Sequence, residues 1–114
     1  MNKKLVLYVK NDSIKSSEVH TLLSEQFEVD TVRTVLTCMN RLGLKSYHFC
    51  VLDYNLPIFR AEKIIDFLND IGMNHIIIST NGKVKDPAVH SWDDNLAELL
   101  VNRILNQREL CPTI

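Results

Sequence analysis

The run "YHFCVLD", residues 47–53, is apolar at nearly every position until it stops on an aspartate, and "YNLP" carries the chain into a turn. A strand apolar on both of its faces belongs inside a sheet that is covered on both sides, the usual situation of parallel sheets. Two more runs of this kind, "LVLYV" and "HIIIST", flank it in the chain. Between them lie longer stretches of helical period, so short apolar strands alternate with helices from end to end.

The first strand is expected at Leu5 to Val9, ending at "KNDS", where Asp12 or Ser13 can cap a helix with Ile14, Val19, Leu22 and Leu23 on its apolar face. "FEVDTVR" has the alternation of a strand covered more fully on one side, through Phe27, Val29 and Thr31. A second helix, about Val35 to Leu42, is expected to close at Gly43. A third spans Ala61 to Asn69, with Ile64, Ile65 and Leu68 at core spacing and Gly72 after it. "NLAELLVNRILNQ" closes the domain as an amphipathic helix with Leu96, Leu99, Leu100 and Ile104 on one face. A βαβα alternation of this kind implies helices on both faces of a mostly parallel sheet. Chemistry in such sheets sits at the carboxyl ends of the strands, beside the switch in strand order. Asp53, Thr80, Lys10 and Asn11 all stand at or just after strand ends, so three strand tips converge on one crevice.

Composition narrows the function classes. The 114 residues carry 13 basic and 14 acidic side chains spread along the chain, so no basic stripe is available to hold nucleic acid. No repeat or second domain appears, and residues 1–114 are expected to form one domain. The opening "MNKKLVLYVKND" is too short in apolar residues for a signal-peptide core, and no run approaches a membrane span, so a cytoplasmic protein is expected. Cys38, Cys50 and Cys111 have neither an even count nor metal-ligand spacing and are read as reduced packing residues. His20, His48, His75 and His90 are scattered without ligand spacing. A small-ligand sensor finds no positive motif, since no glycine-rich phosphate loop follows any strand. Polar runs such as "KSSE" are read as solvated helix faces.

The pieces "LVLYV", "VLDYNLP", "HIIIST" and "NLAELLVNRIL", in this order and spacing, resemble the receiver domain of bacterial two-component response regulators across nearly the whole chain. The resemblance implies a flavodoxin-like, doubly wound parallel sheet of strand order 2-1-3-4-5. It also implies that Asp53 is the position of the aspartate that takes a phosphoryl group from a histidine kinase, and Thr80 that of the hydroxyl that contacts the phosphate. Such chemistry needs a divalent cation and a cationic side chain to neutralise charge as the transition state forms, and magnesium is held largely by carboxylates.

Three departures qualify this. The acidic pair expected after the first strand falls on Lys10 and Asn11, with Asp12 one position late. The lysine expected after the fifth strand falls on Trp92, while Lys83 and Lys85 lie too far before the last helix. The span from Thr80 to Trp92 holds Asn81, Gly82 and Pro87; it admits a strand at "AVHSW" but leaves the fourth helix short or missing. Its loss is expected to uncover apolar surface on "HIIIST" and the third helix, and such patches mark partner interfaces.

The expectation is therefore an atypical, truncated receiver. Lys10, Asn11 and Trp92 line a degenerate pocket, Asp53 is bridged to Lys10, no metal or other cofactor is bound, and signalling proceeds through a protein partner, a kinase or an effector domain. Homodimerisation through the shortened face is favoured. Either a stand-alone adaptor or the amino-terminal module of a longer transcription regulator fits, since "NQRELCPTI" is suited to continue as a linker. The rival is a working phosphoacceptor with Asp53 as nucleophile, Thr80 as phosphate contact, and Asp12 and Asp53 as magnesium ligands.

Overall fold

The computed structural model describes residues 3–10, 13–54, 61–80 and 87–106. In chain order they form β1 (Leu5–Val9), α1 (Ile14–Gln26), β2 (Glu28–Val32), α2 (Val35–Leu44), β3 (Phe49–Asp53), α3 (Ala61–Asp70), β4 (His75–Ser79), β5 (Val89–Ser91) and α4 (Asp94–Leu105). The strands make one parallel sheet in the order β2-β1-β3-β4-β5. This is the flavodoxin-like order, with four helices and, among the described residues, none between β4 and β5. Asn11, Asp12, Asn81, Gly82, Lys83, Lys85 and Cys111 lie outside the described residues.

β3 sits at the centre, and all five of its residues are buried, as its unbroken apolar run requires. Side chains alternate across the sheet. Leu7, Val9, Cys50, Leu52 and Ile77 pack with Cys38, Ile64 and Leu68 in the α2/α3 layer. Val6, Tyr8, Phe49, Val51, Ile76 and Ile78 pack with Val19, Leu23, Leu96, Leu100 and Ile104 in the α1/α4 layer. Each fully buried leucine or isoleucine in these layers contributes about 1.5–3 kcal/mol.

Local signals set the helix ends. Ser13 caps α1, its Oγ accepting from the Ser16 backbone N–H at 3.0 Å. Thr34 caps α2 in a reciprocal pair with Thr37, and Asp93 caps α4 by accepting from the Leu96 N–H at 2.7 Å. α3 ends in a Schellman turn: Met73 N–H donates to the Leu68 carbonyl, Gly72 N–H to that of Asn69, and Gly72 takes φ 69°. Gly43 does not end α2, contrary to the expectation from the sequence. The helix runs through it to Leu44 and is capped at Lys45, whose backbone N–H donates to the Arg41 carbonyl. The chain leaves in extended conformation there, so no left-handed residue is needed.

Two apolar-face assignments need correction. Ile14 is 83% exposed, because a residue two positions before Ser16 lies about 200° round the helix from the face that Ser16, Val19 and Leu23 turn to the sheet. Leu99 is 59% exposed, and Ala97 takes the inward place beside Leu96 and Leu100. The short β4-to-β5 span also does not uncover β4: Ile76, Ile77 and Ile78 are all buried. The exposed large apolar side chains lie instead on helices and their ends, among them Ile14, Leu36, Met39, Leu44 and Ile71.

Candidate functional site

Strand parity builds the site. On β3, Phe49 and Val51 face the α1/α4 layer, and Asp53 is the next residue of the same parity. Asp53 pairs in register with Ile78 of β4, and Thr80, two residues further, falls on the same side just past the strand end. Tyr8 of β1 faces this layer as well. From above, α1 supplies Ser16 at its third position, one turn ahead of the buried Val19.

These four residues are joined by hydroxyl hydrogen bonds. Thr80 Oγ1 donates to Asp53 Oδ2 at 2.8 Å, and Ser16 Oγ donates to the same oxygen at 3.0 Å. Tyr8 Oη lies 3.1 Å from Ser16 Oγ. A serine hydroxyl has one proton, and that proton is committed to Asp53, so the Tyr8 hydroxyl is the donor to Ser16. The chain runs Tyr8 to Ser16 to Asp53, with Thr80 converging from the other side. Asp53, Ser16 and Tyr8 are fully buried and Thr80 is nearly so. Burial raises the Tyr8 phenol well above its usual range, and the charge of Asp53 adds to this, so it remains a proton donor.

Of the residues expected here, Asp53 and Thr80 meet. Lys10 follows β1, half-buried, with its backbone N–H on the Val32 carbonyl. The ion pairs found among the described residues fall on Asp30, with Lys45 at 2.8 Å and Arg41 at 3.6 Å; the expected bridge from Lys10 to Asp53 is not among them. The hydroxyls of Ser16 and Thr80 both bond Asp53 Oδ2. Trp92 is half-buried against the α1/α4 layer, with its backbone N–H on the Ser79 carbonyl.

Ser16 and Tyr8 were not expected from the sequence. "KSSE" is not wholly a solvated face, since Ser16 has no exposed surface. Its spacing to Val19 and Leu23, three and seven residues on, carried the signal: a hydroxyl on the inward stripe of a helix must find a buried partner.

Magnesium is held through carboxylates with water and phosphate oxygens; the cluster offers it one, Asp53, beside the hydroxyls of Ser16 and Thr80, and Asp12, the other acid expected there, lies outside the described residues. More widely, no group of three or more His, Cys, Asp or Glu among the described residues is arranged to hold a metal ion. Cys38 and Cys50 are buried free thiols in the other layer. The hydrogen bond that it donates to Cys38, and then burial, hold the Cys50 thiol well above its usual range, far from a nucleophilic thiolate.

The three-dimensional relatives decide the fold. A response regulator receiver domain from Methylobacillus flagellatus, described as CheY-like, superposes with a TM-score of 0.71 at 16% identity, over 90% of this chain and 99% of that one. A CheY-like receiver domain protein from Methanospirillum hungatei gives 0.72 at 15% identity, over 90% and 94%. A Francisella response regulator receiver domain gives 0.70 at 14% identity, over 89% and 95%. This is the receiver-domain fold. No family model and no curated protein matches the receiver-like chain by sequence. No helix among its described residues is long and apolar enough to cross a membrane.

Proposed function

We propose that this receiver-like chain is a signal-transduction module that acts through protein–protein contact, without conventional magnesium-dependent phosphorylation. The observation that carries the reading is the state of Asp53, fully buried with Ser16 and Thr80 both on Oδ2. A phosphoryl donor has to reach a carboxylate oxygen in line, with positive charge at hand to offset the donor's oxygens. A carboxylate oxygen that takes the hydroxyls of Ser16 and Thr80 is suited to another task, tying α1 and the β4 tip to the central strand. The partner is a kinase or an effector domain. The assembly we favour is a homodimer through the α2/α3 side, supported by the exposed Leu36, Met39 and Ile71 rather than by β4. Light scattering at tens of micromolar that gave only monomer would exclude it.

The competing reading is a working phosphoacceptor. It is favoured by the 2.8 Å contact of Thr80 with Asp53, which puts a hydroxyl beside the carboxylate where the resemblance asks for a phosphate contact. Asp53 would then attack the phosphorus of a kinase phosphohistidine, forming an acyl phosphate as the P–N bond breaks, with Asp12 as the second acid. Intact-mass measurement after incubation with a small acyl phosphate and magnesium separates the two readings, with Asp53→Ala as control. No adduct on either protein is expected; an adduct on the wild type alone overturns the first reading.

A further inference from the structure

Two adjoining hollows, which share Leu22 and Glu25, make a trough along α1 and between α1 and α4. A hollow of about 370 Å³ runs along α1 from Ile14 past Glu18 and Thr21 to Leu22 and Glu25. A second, of about 320 Å³, shares Leu22 and Glu25 and lies against Asp94, Ala97, Glu98 and Val101 of α4. The apolar side chains of the two hollows are Ile14 and Leu22, about two turns apart on α1, and Ala97 and Val101, one turn apart on α4. Ile14 is 83% exposed although it is isoleucine, and Leu22, Ala97 and Val101 supply the rest of the apolar floor.

The walls have one sign. Glu18, Glu25, Asp94 and Glu98 are exposed, and no Lys, Arg or His among the described residues lines either hollow. A second copy docking trough to trough would set these carboxylates against each other. Nucleic acid and an anionic membrane surface are opposed for the same reason. An apolar stripe flanked by cations meets both the floor and the walls.

We propose that the α1/α4 trough is a docking site for a basic amphipathic helix of a partner protein, with its apolar stripe over Leu22, Ala97 and Val101 and its Lys or Arg side chains against Glu18, Glu25 and Glu98. The proposal rests on the reading that the domain works by protein contact and names the chemistry of the partner. It is independent of what happens at Asp53, so the phosphorylation measurement and the binding measurement fail separately.

The test uses two fluorescein-labelled synthetic helical peptides that share a leucine stripe, one with lysine flanks and one with glutamate flanks. Anisotropy titration against the full chain is expected to detect the lysine peptide and not the glutamate peptide. Binding should weaken at least tenfold in Glu25→Lys/Glu98→Lys, and again in wild type on raising NaCl from 50 to 500 mM, because exposed charges are screened within about 8 Å at physiological salt and less at higher salt. Asp66→Lys/Asp70→Lys on α3, across the sheet, is the control and should bind as wild type does. Amide shifts on adding the lysine peptide should concentrate in α1 and α4, and Leu22→Asn should weaken binding without changing the wall charge. Equal loss in the α3 variant, shifts centred elsewhere, or no binding of the lysine peptide would each overturn the proposal.

Discussion

Ser16 Oγ on α1 donates to Asp53 Oδ2 at the end of β3 across 3.0 Å, and neither residue has exposed surface. One hydrogen bond thus ties the first turn of a covering helix to the carboxylate at the centre of the sheet. The Ser13 cap, which holds the Ser16 backbone N–H, fixes the turn from which that side chain reaches inward.

Ser16→Ala should lower unfolding free energy by about 1–3 kcal/mol, the usual penalty when a buried polar partner is deprived of its bond. Tyr8→Phe alone should cost about 1 kcal/mol, since it removes a donor and leaves Ser16 bonded to Asp53. In the double variant the Tyr8 hydroxyl stranded by Ser16→Ala is gone as well. Its loss should fall short of the sum by at least about 0.5 kcal/mol in urea unfolding, as for groups in one network. Strict additivity would mean that Tyr8 and Ser16 do not act together.

Thr80→Val keeps the shape of the side chain and deletes the 2.8 Å bond to Asp53. A loss of about 1–3 kcal/mol is expected, with Thr80→Ser recovering more than half of it. A valine variant as stable as wild type beside a destabilised serine variant would show that the methyl group, not the hydroxyl, matters at the β4 tip.

Asp30 and Tyr47 make the fold sensitive to pH at both extremes. The Lys45 ammonium at 2.8 Å, and then the Tyr47 hydroxyl at 2.7 Å, hold the Asp30 carboxyl below its ordinary value. A carboxylate depressed in the folded state contributes stability that is present above the unfolded value, about 3.9, and lost as pH falls through the folded one. Burial, and then the bond to Asp30, push Tyr47 up to about 12. For an acid raised on folding, the contribution is complete below the unfolded value, about 10, and lost as pH rises through the folded one. Urea midpoints measured from pH 2.5 to 6 should fall less steeply in Asp30→Asn. From pH 9 to 12 they should fall less steeply in Tyr47→Phe.

Gly43 and Gly72 should respond oppositely to alanine. A Cβ at either position would meet no other atom within 4 Å, so conformation alone decides. Gly72 at φ 69° ends α3 in the left-handed region, and Gly72→Ala should cost about 1–2 kcal/mol. Gly43 is a helical residue without a positive φ, and Gly43→Ala should raise stability by up to about 1 kcal/mol. The sign of each change in thermal unfolding is the check.

Much of this arrangement was legible in the residues. Apolar runs at 5–9, 49–53 and 75–79 and the helices between them required a covered parallel sheet, and alternation placed Asp53 and Thr80 at its carboxyl edge. The exposed positions were less legible. Ile14 and Leu99 satisfy a helical pattern loosely, and only the orientation of α1 and α4 on the sheet turns them outward. Gly43 has the composition of a helix end, but Lys45 leaves α2 in extended backbone, so the glycine is absorbed into the last turn.

By itself the sequence determined which segments are strands and helices and that an aspartate ends a buried strand, because these follow from local periodicity and from burying apolar runs; the strand order was what the resemblance to receiver domains implied. Only the tertiary structure decided what Asp53 bonds to. Ser16 stands 37 residues before it and Tyr8 on the neighbouring strand, and a hydroxyl reveals its role only when folding removes water and leaves a carboxylate as its partner. The acidic trough of α1 and α4 arises in the same way, from two helices far apart in the chain brought side by side on one face of the sheet.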